Sequence, residues 1–300
     1  MPWTTSDKVM DFRSRHAAID VLVDTLDGWR RHISGRNASV LAFFGFLSIF
    51  PLMLAATTIL GFVLEGNEEL QERLINGALA DIPVLGEQLQ NDPTSLTGNW
   101  WALIIGLGGA LWSSTKAFVG LQGALDDVWE VHVDQRDAMP KQRGKALLGL
   151  LFIGAAQVAT IVITTLVNAA GLPSVGRVAL LLATVLINIA VLAAMYRFLT
   201  AAEPTWRDVW PGAVIAGIVF AALQYFGTAI VDRIQEGASS TYGSFALVLG
   251  IVTWLSFLAI SSLMGAEFNG ALVRHRDGSL DRVQPSDADA PTERPAAVSA

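Results

Sequence analysis

The chain reads as an all-α polytopic membrane protein with six transmembrane helices and both termini in the cytoplasm. Three observations predict this class. Of its 300 residues, 52% are hydrophobic and only 16% charged. Long uncharged runs recur six times along the chain. Lys and Arg crowd one side of the resulting topology.

Soluble domains carry roughly 25% charged residues, because a globular fold must also make a polar surface. A mean hydropathy of +0.47 leaves too little polar sequence for one. The net charge of −7 argues against a nucleic-acid partner, which would need a basic face. The absence of Cys removes disulfides, thiolate metal sites and thiol nucleophiles.

Crossing ~30 Å of hydrocarbon at ~1.5 Å per residue takes about 20 apolar residues. Residues 1–37 form a cytoplasmic segment, too long and too charged for a signal peptide. A stripe of Phe12, Ile19, Leu22, Val23, Leu26, Trp29 and Ile33 predicts a helix there. With Arg30 and Arg31 beside the first span, that helix fits the headgroup region. Its acids Asp11, Asp20, Asp24 and Asp27 fit packing on the cytoplasmic face of the bundle equally well.

The membrane domain occupies residues 38–270. Its spans are expected at 38–64, 98–125, 146–170, 178–199, 209–231 and 242–266. In lipid the backbone must pair internally, so each run is helical. Continuous apolar runs do not fit the alternating strands of a β-barrel. The external loop 65–97 holds seven carboxylates against Arg73. Leu70, Leu74, Ile75, Leu79 and Ile82 recur in it at helical spacing, predicting an amphipathic cap or an antechamber. The tail, 271–300, is rich in Asp, Pro and Ala and is expected to be disordered.

Six spans put both termini on one side. The N-terminal, second-loop, fourth-loop and C-terminal segments carry sixteen Lys and Arg, and the opposite loops carry three. The positive-inside rule then places both termini in the cytoplasm.

A charge at membrane depth costs roughly 2.5–3.5 kcal/mol on insertion scales, so each needs a reason. Lys116 lies within the second span, among Ser113, Ser114 and Thr115. It suits a counter-charge to an anionic substrate, or a snorkelling or structural ion-paired lysine. Gln122, Asp126 and Asp127 follow it toward the cytoplasmic mouth, and Glu267 and Asn269 end the sixth span at the same leaflet. These six are the candidate pathway or ion-pair residues. Pro51, in the middle of the first span, removes a helix hydrogen bond and is a candidate hinge or packing bend. Gln157, Asn168, Asn188 and Gln224 suit hydrogen bonds between helices, on the order of 1 kcal/mol each. Gly106, Ala110 and Ser114, Ala213, Gly217 and Ala221, and Ser262, Ala266 and Gly270 suit close helix approach.

No phosphate-binding Gly-x-x-x-x-Gly-Lys loop occurs, and no Gly-x-Ser-x-Gly elbow. The four histidines are scattered over the polar segments. The residues therefore point to no catalytic chemistry, no metal and no cofactor.

The ordered segments resemble the YihY/BrkB family. Ser39-Val-Leu-Ala-Phe-Phe-Gly-Phe-Leu-Ser-Ile-Phe-Pro-Leu-Met53 is similar to its first-span signature. Ala110-Leu-Trp-Ser-Ser-Thr-Lys-Ala-Phe-Val-Gly-Leu-Gln-Gly-Ala-Leu-Asp-Asp-Val-Trp129 is similar to its second. Arg197-Phe-Leu with Trp206-Arg-Asp-Val-Trp-Pro-Gly-Ala213, then Tyr242-Gly-Ser-Phe-Ala246 and Gly265-Ala-Glu-Phe-Asn269, complete it. The chain departs from the common pattern at Glu203-Pro204 and at Asp126, where many members carry Asn. The resemblance implies a six-helix inner-membrane protein, associated with virulence and serum resistance and suspected of transport. The family has carried a ribonuclease BN label, and the sequence speaks against it: RNA hydrolysis wants a basic surface and clustered metal ligands.

The expected function is a transporter or translocator of an anionic lipid, an envelope precursor or a small polar solute, with membrane lipids as partners. The alternative is a non-transporting scaffold that maintains the envelope. A polar cavity reaching Lys116 would favour the first, and a dry, packed bundle the second.

Overall fold

The computed structural model describes residues 17–64, 99–169, 173–242 and 245–277. The expected external helix at 65–97, Phe12 and most of the tail lie outside these residues. Among the described residues seven α-helices follow one another: α1 (Ala17–Arg31), α2 (Ser34–Leu64), α3 (Trp100–Val128), α4 (Met139–Ala169), α5 (Pro173–Phe198), α6 (Trp206–Tyr242) and α7 (Phe245–Arg276). A short 3₁₀ turn, Val133–Gln135, sits between α3 and α4. Among the described residues there is no strand.

Local chemistry sets the helix ends. Asn99 caps α3, its side chain accepting from the backbone N–H groups of Trp101 and Ala102. Pro173 opens α5, where its missing N–H costs nothing. Thr205 donates its backbone N–H to the Asp208 carboxylate at 3.0 Å, fastening the first turn of α6. Arg274, His275 and Arg276 close α7, where positive charge suits the helix C-terminus.

Among the described residues, five stretches are long and apolar enough to cross a membrane: Ser34–Ala55, Trp100–Val128, Val178–Phe198, Trp206–Gln224 and Val248–Arg276. The expected span at 146–170 falls on α4, whose first turns carry Lys141, Arg143 and Lys145; it is not among the five. Several helices outrun their expected bounds. α6 continues past 231 to Tyr242, and α7 past 266 to Arg276. Hydropathy stops at Glu267 because a charge is expensive in lipid, whereas the helix continues because that charge is paired.

The outer surface is apolar. Phe43, Phe50, Ile105, Trp112, Leu151 and Leu186 all stand exposed on long helices. A water-soluble bundle does not show apolar area on this scale.

α3 packs on α2, α6 on α5 and α7, and α7 also on α2 and α1. The largest fully buried side chains, including Tyr196, Leu125, Leu199, Leu263 and Val209, gather toward one end. That end also holds Lys141, Arg143, Lys145, Arg197, Arg207 and the close of α7, and is called the basic end below.

α1 lies across the basic end with an unexpected face inward. Asp24, Thr25 and Gly28 are buried with Val21, while Leu22 and Leu26 are 55% and 51% exposed. Leu22, Leu26 and Ile33 of the apolar stripe therefore point away from the bundle, while Trp29 packs against its core. The inward face is chosen by charge and size: Asp24 meets Arg274, and Gly28 admits the Glu267 carboxylate.

Candidate functional site

Two features stand out: a cavity midway along the bundle, and a polar seal at its basic end.

The cavity has a volume of about 440 Å³, inside the roughly 300–1,000 Å³ range of small-molecule sites. All six long helices wall it, with Leu41 from α2, Phe118 from α3, Ile153 from α4, Met195 from α5, Phe220 from α6 and Leu255 from α7. No charged side chain is among its lining residues. The polar groups are the serines Ser48, Ser114 and Ser262 and the amides Asn188 and Gln224. Asn188 Nδ2 donates to Gln224 Oε1 at 2.9 Å. This bond uses one donor hydrogen and one acceptor, so Asn188 Oδ1 and Gln224 Nε2 keep capacity toward the cavity. The two amides do bond between helices, and they do so on a cavity wall.

The basic end is closed by hydrogen-bonded and ion-paired polar side chains, among which His32 Nε2, Gln122 Oε1 and Trp129 Nε1 are buried without a hydrogen-bond partner. Glu267 is 0% exposed. It accepts from Ser34 Oγ at 2.5 Å and from His32 Nδ1 at 3.0 Å. Asn269 accepts from the backbone N–H of Gly212 at 2.6 Å and donates to the Val209 carbonyl at 2.9 Å, stapling α7 to α6. Gly212 and Gly265 make this approach possible, since a Cβ on Gly265 would meet the Gly212 carbonyl at 2.7 Å. Asp126 accepts from Thr200 Oγ1 and from the Ala201 N–H, each at 2.8 Å, fixing the turn after α5. Gln122 Nε2 donates to the Gln142 carbonyl at 2.9 Å, and its Oε1 is buried without a partner. Asp127 pairs with Arg136 at 2.6 Å.

The structure thus distributes the expected site residues instead of gathering them. Gln122, Asp126, Asp127, Glu267 and Asn269 all serve the basic end, with different partners. Lys116 is exposed on α3 and is not among the cavity-lining side chains. Pro51 lies within an unbroken α2, its carbonyl 3.1 Å from where a Cβ on Gly106 would stand, so α3 packs directly against it.

Sequence reasoning did not single out His32, Ser34, Glu130, Asp137, Lys145 or Arg274. Arg274 pairs with Asp24 at 2.8 Å, and His275 with Asp20 at 3.2 Å. One signal was present: Asp20 and Asp24 stand one turn apart on α1, and Arg274 and His275 close α7. Asp137 bridges Lys141 at 2.6 Å and Lys145 at 2.5 Å. Burial pushes its carboxyl pKa up, but the two lysines outweigh that and hold it below the ordinary value. At His32 burial opposes the charge, and the carboxylates of Glu130 and Glu267 overcome it, leaving the imidazole above its usual 6.5. Glu130 is held below its ordinary range, first by His32, against burial and with help from Arg274 and Arg31.

Known proteins bear on both features. The family model "Virulence factor BrkB" matches residues 25–291, which includes every helix walling the cavity. An uncharacterized protein of Dickeya dadantii (strain 3937) is 26% identical over 264 residues, covering 80% of this chain and 79% of that one. The putative ribonuclease-like protein YfkH of Bacillus subtilis (strain 168) is 23% identical over 262 residues, covering 82% of this chain and 92% of that one. No solved structure matches. A match of this extent, over a helical membrane bundle with the expected motifs in order, makes the chain a member of the BrkB virulence-factor family.

Proposed function

We propose that this protein is a six-span inner-membrane translocator whose substrate is a lipid or lipid-linked envelope precursor. Both termini face the cytoplasm in this reading. The charge asymmetry supports that orientation, with sixteen Lys and Arg on one side and three on the other. α4 serves as the sixth span.

The observation that carries the reading is the apolar, partly open cavity lined by all six long helices. Apolar walls suit a hydrocarbon chain, and the free halves of Asn188 and Gln224 suit the ester or hydroxyl groups where a chain meets its headgroup. A small ion or polar solute would want charged or densely polar walls, so the lipid class is favoured over the small-solute class. Lys116 serves as a lipid-facing charge that snorkels toward headgroups. The ribonuclease-like name of the Bacillus relative finds little support here. Among the described residues, no group of three His, Asp or Glu side chains could hold a metal ion, and the buried acids are committed to the seal. A non-enzymatic role is the simpler reading.

The test is leaflet-resolved flux of labelled anionic lipids in proteoliposomes. Gly45 lines the cavity, and a Cβ there would find Leu255 no closer than 3.8 Å, so Gly45→Leu starts from an unstrained Cβ and directs added volume at the cavity. Wild-type flux should be lost in Gly45→Leu and kept in Lys116→Ala. Absence of wild-type flux above protein-free liposomes would overturn the reading and favour an envelope scaffold.

A further inference from the structure

The turn between α1 and α2 places a histidine among acids from three elements. His32 is 7% exposed at its side chain and faces two carboxylates. Its Nδ1 lies 3.0 Å from both oxygens of Glu267 on α7. Its Nε2 lies 3.8 Å from Glu130 Oε1 in the turn after α3, and is buried without a hydrogen-bond partner. A neutral imidazole has one N–H and would turn a lone pair toward one of these acids. Only the doubly protonated ring presents a donor to each.

The surrounding charges agree. Arg31 approaches Asp24 at 3.8 Å and Glu130 at 3.4 Å, and Arg274 holds Asp24 at 2.8 Å and Glu130 at 3.7 Å. Three acids (Asp24, Glu130 and Glu267) therefore face two guanidinium groups (Arg31 and Arg274). A proton on His32 balances the cluster, and without it one buried negative charge is left over.

Backbone strain marks the same place. Ile33 sits at φ 54° between His32 and Ser34, both of which bond Glu267, and Glu130 sits at φ 53°. A β-branched residue in the left-handed region persists only where its neighbours over-determine it. Here the neighbours are the ligands of Glu267.

We propose that this cluster is a proton-binding site. His32, clamped between Glu267 and Glu130, carries one exchangeable proton, and its release loosens α1 and the strained turn from α7. The site itself stands apart from translocation. Its consequence rests on the reading above: the cluster seals the cytoplasmic end below the cavity, so cytoplasmic pH would set how firmly that end is closed.

The test uses the full chain in lipid nanodiscs with two readouts, neither of which needs transport. The chain has four histidines, so histidine-labelled NMR spectra are simple, and the difference against His32→Gln assigns His32. His32 should titrate above 6.5, and Glu130→Gln should move it down. Glu130 is 54% exposed at its side chain, so that variant does not hollow the seal, and Glu267→Gln is a second, deeper probe. The chain has no Cys, so spin labels attach only at Leu22→Cys and Val133→Cys, both exposed. Their distance distribution should be narrow at low pH and broaden as pH rises above 6.5 through the His32 titration, and His32→Gln should remove that pH dependence. A His32 that titrates at or below its ordinary value, or a label distance that ignores pH, overturns the proposal. Loss of lipid flux with both readouts intact would overturn only the translocation reading.

Discussion

Gly212 and Gly265 bring α6 and α7 so close at the basic end that a methyl on either would collide with the other helix. Halfway along the bundle, a methyl on Gly45 would find nothing nearer than 3.8 Å. The same helices are thus sealed at one level and held apart at another. Lipid tails are as apolar as leucine, so burying leucine against leucine gives a membrane bundle little net drive to close. Closure follows the polar pairs and small residues. Glu267, Asn269 and Asp126 sit where the helices meet, and where such residues thin out, apolar side chains line a void.

The largest test of this contrast is Arg274→Ala. Removing one partner of a buried ion pair costs roughly 3–5 kcal/mol, because it strands the other charge. Arg276→Ala, which breaks the more exposed pair with Asp208, should cost under about 1 kcal/mol. Thermal unfolding in detergent compares them, and equal effects would mean that the seal is no more than a surface ion-pair network. Next comes Gly212→Val, expected to cost about 1–3 kcal/mol by overpacking. Gly45→Ala should be neutral or stabilising by up to about 1 kcal/mol through helix propensity. The opposite ranking would mean that Gly45 does not face open space.

The seal should also respond to pH. His32 is raised above its ordinary 6.5, so its contribution is complete below that value and is lost as pH rises through the folded-state pKa. Glu130 is lowered from 4.5, so its contribution is present above that value and is lost as acid titrates the folded carboxylate. Stability should therefore fall on both sides of a weakly acidic plateau. His32→Gln should remove the alkaline shoulder alone, which unfolding scans across pH would read. The smallest effect is expected at Lys116→Ala, within about 0.5 kcal/mol, as for an exposed position without a structural role.

The helical bundle was legible because runs such as 38–64 and 178–199 carry the signal in their own composition. Helix ends were less legible. Hydropathy cannot know that Glu267 will find Ser34 and His32, so α7 was expected to stop short of Arg276. The seal was harder still: His32 and Glu267 are 235 residues apart, and nothing local to either names the other. Only the acids of α1 and the basic close of α7 hinted at their meeting. The cavity could not be read at all. Gly45 and Gly106 look alike in sequence, yet one faces a void and the other meets the α2 backbone at 2.8 Å.

The latch between Asp24 and Arg274 also orders events during synthesis. Asp24 leaves the ribosome 250 residues before the arginine that holds it. Until α7 is made, Asp24 lacks Arg274 and has only Arg31 of its own helix nearby. A chain that stops before α7, or inserts it the wrong way round, leaves Asp24 without Arg274. The latch therefore closes only once α7 is in place.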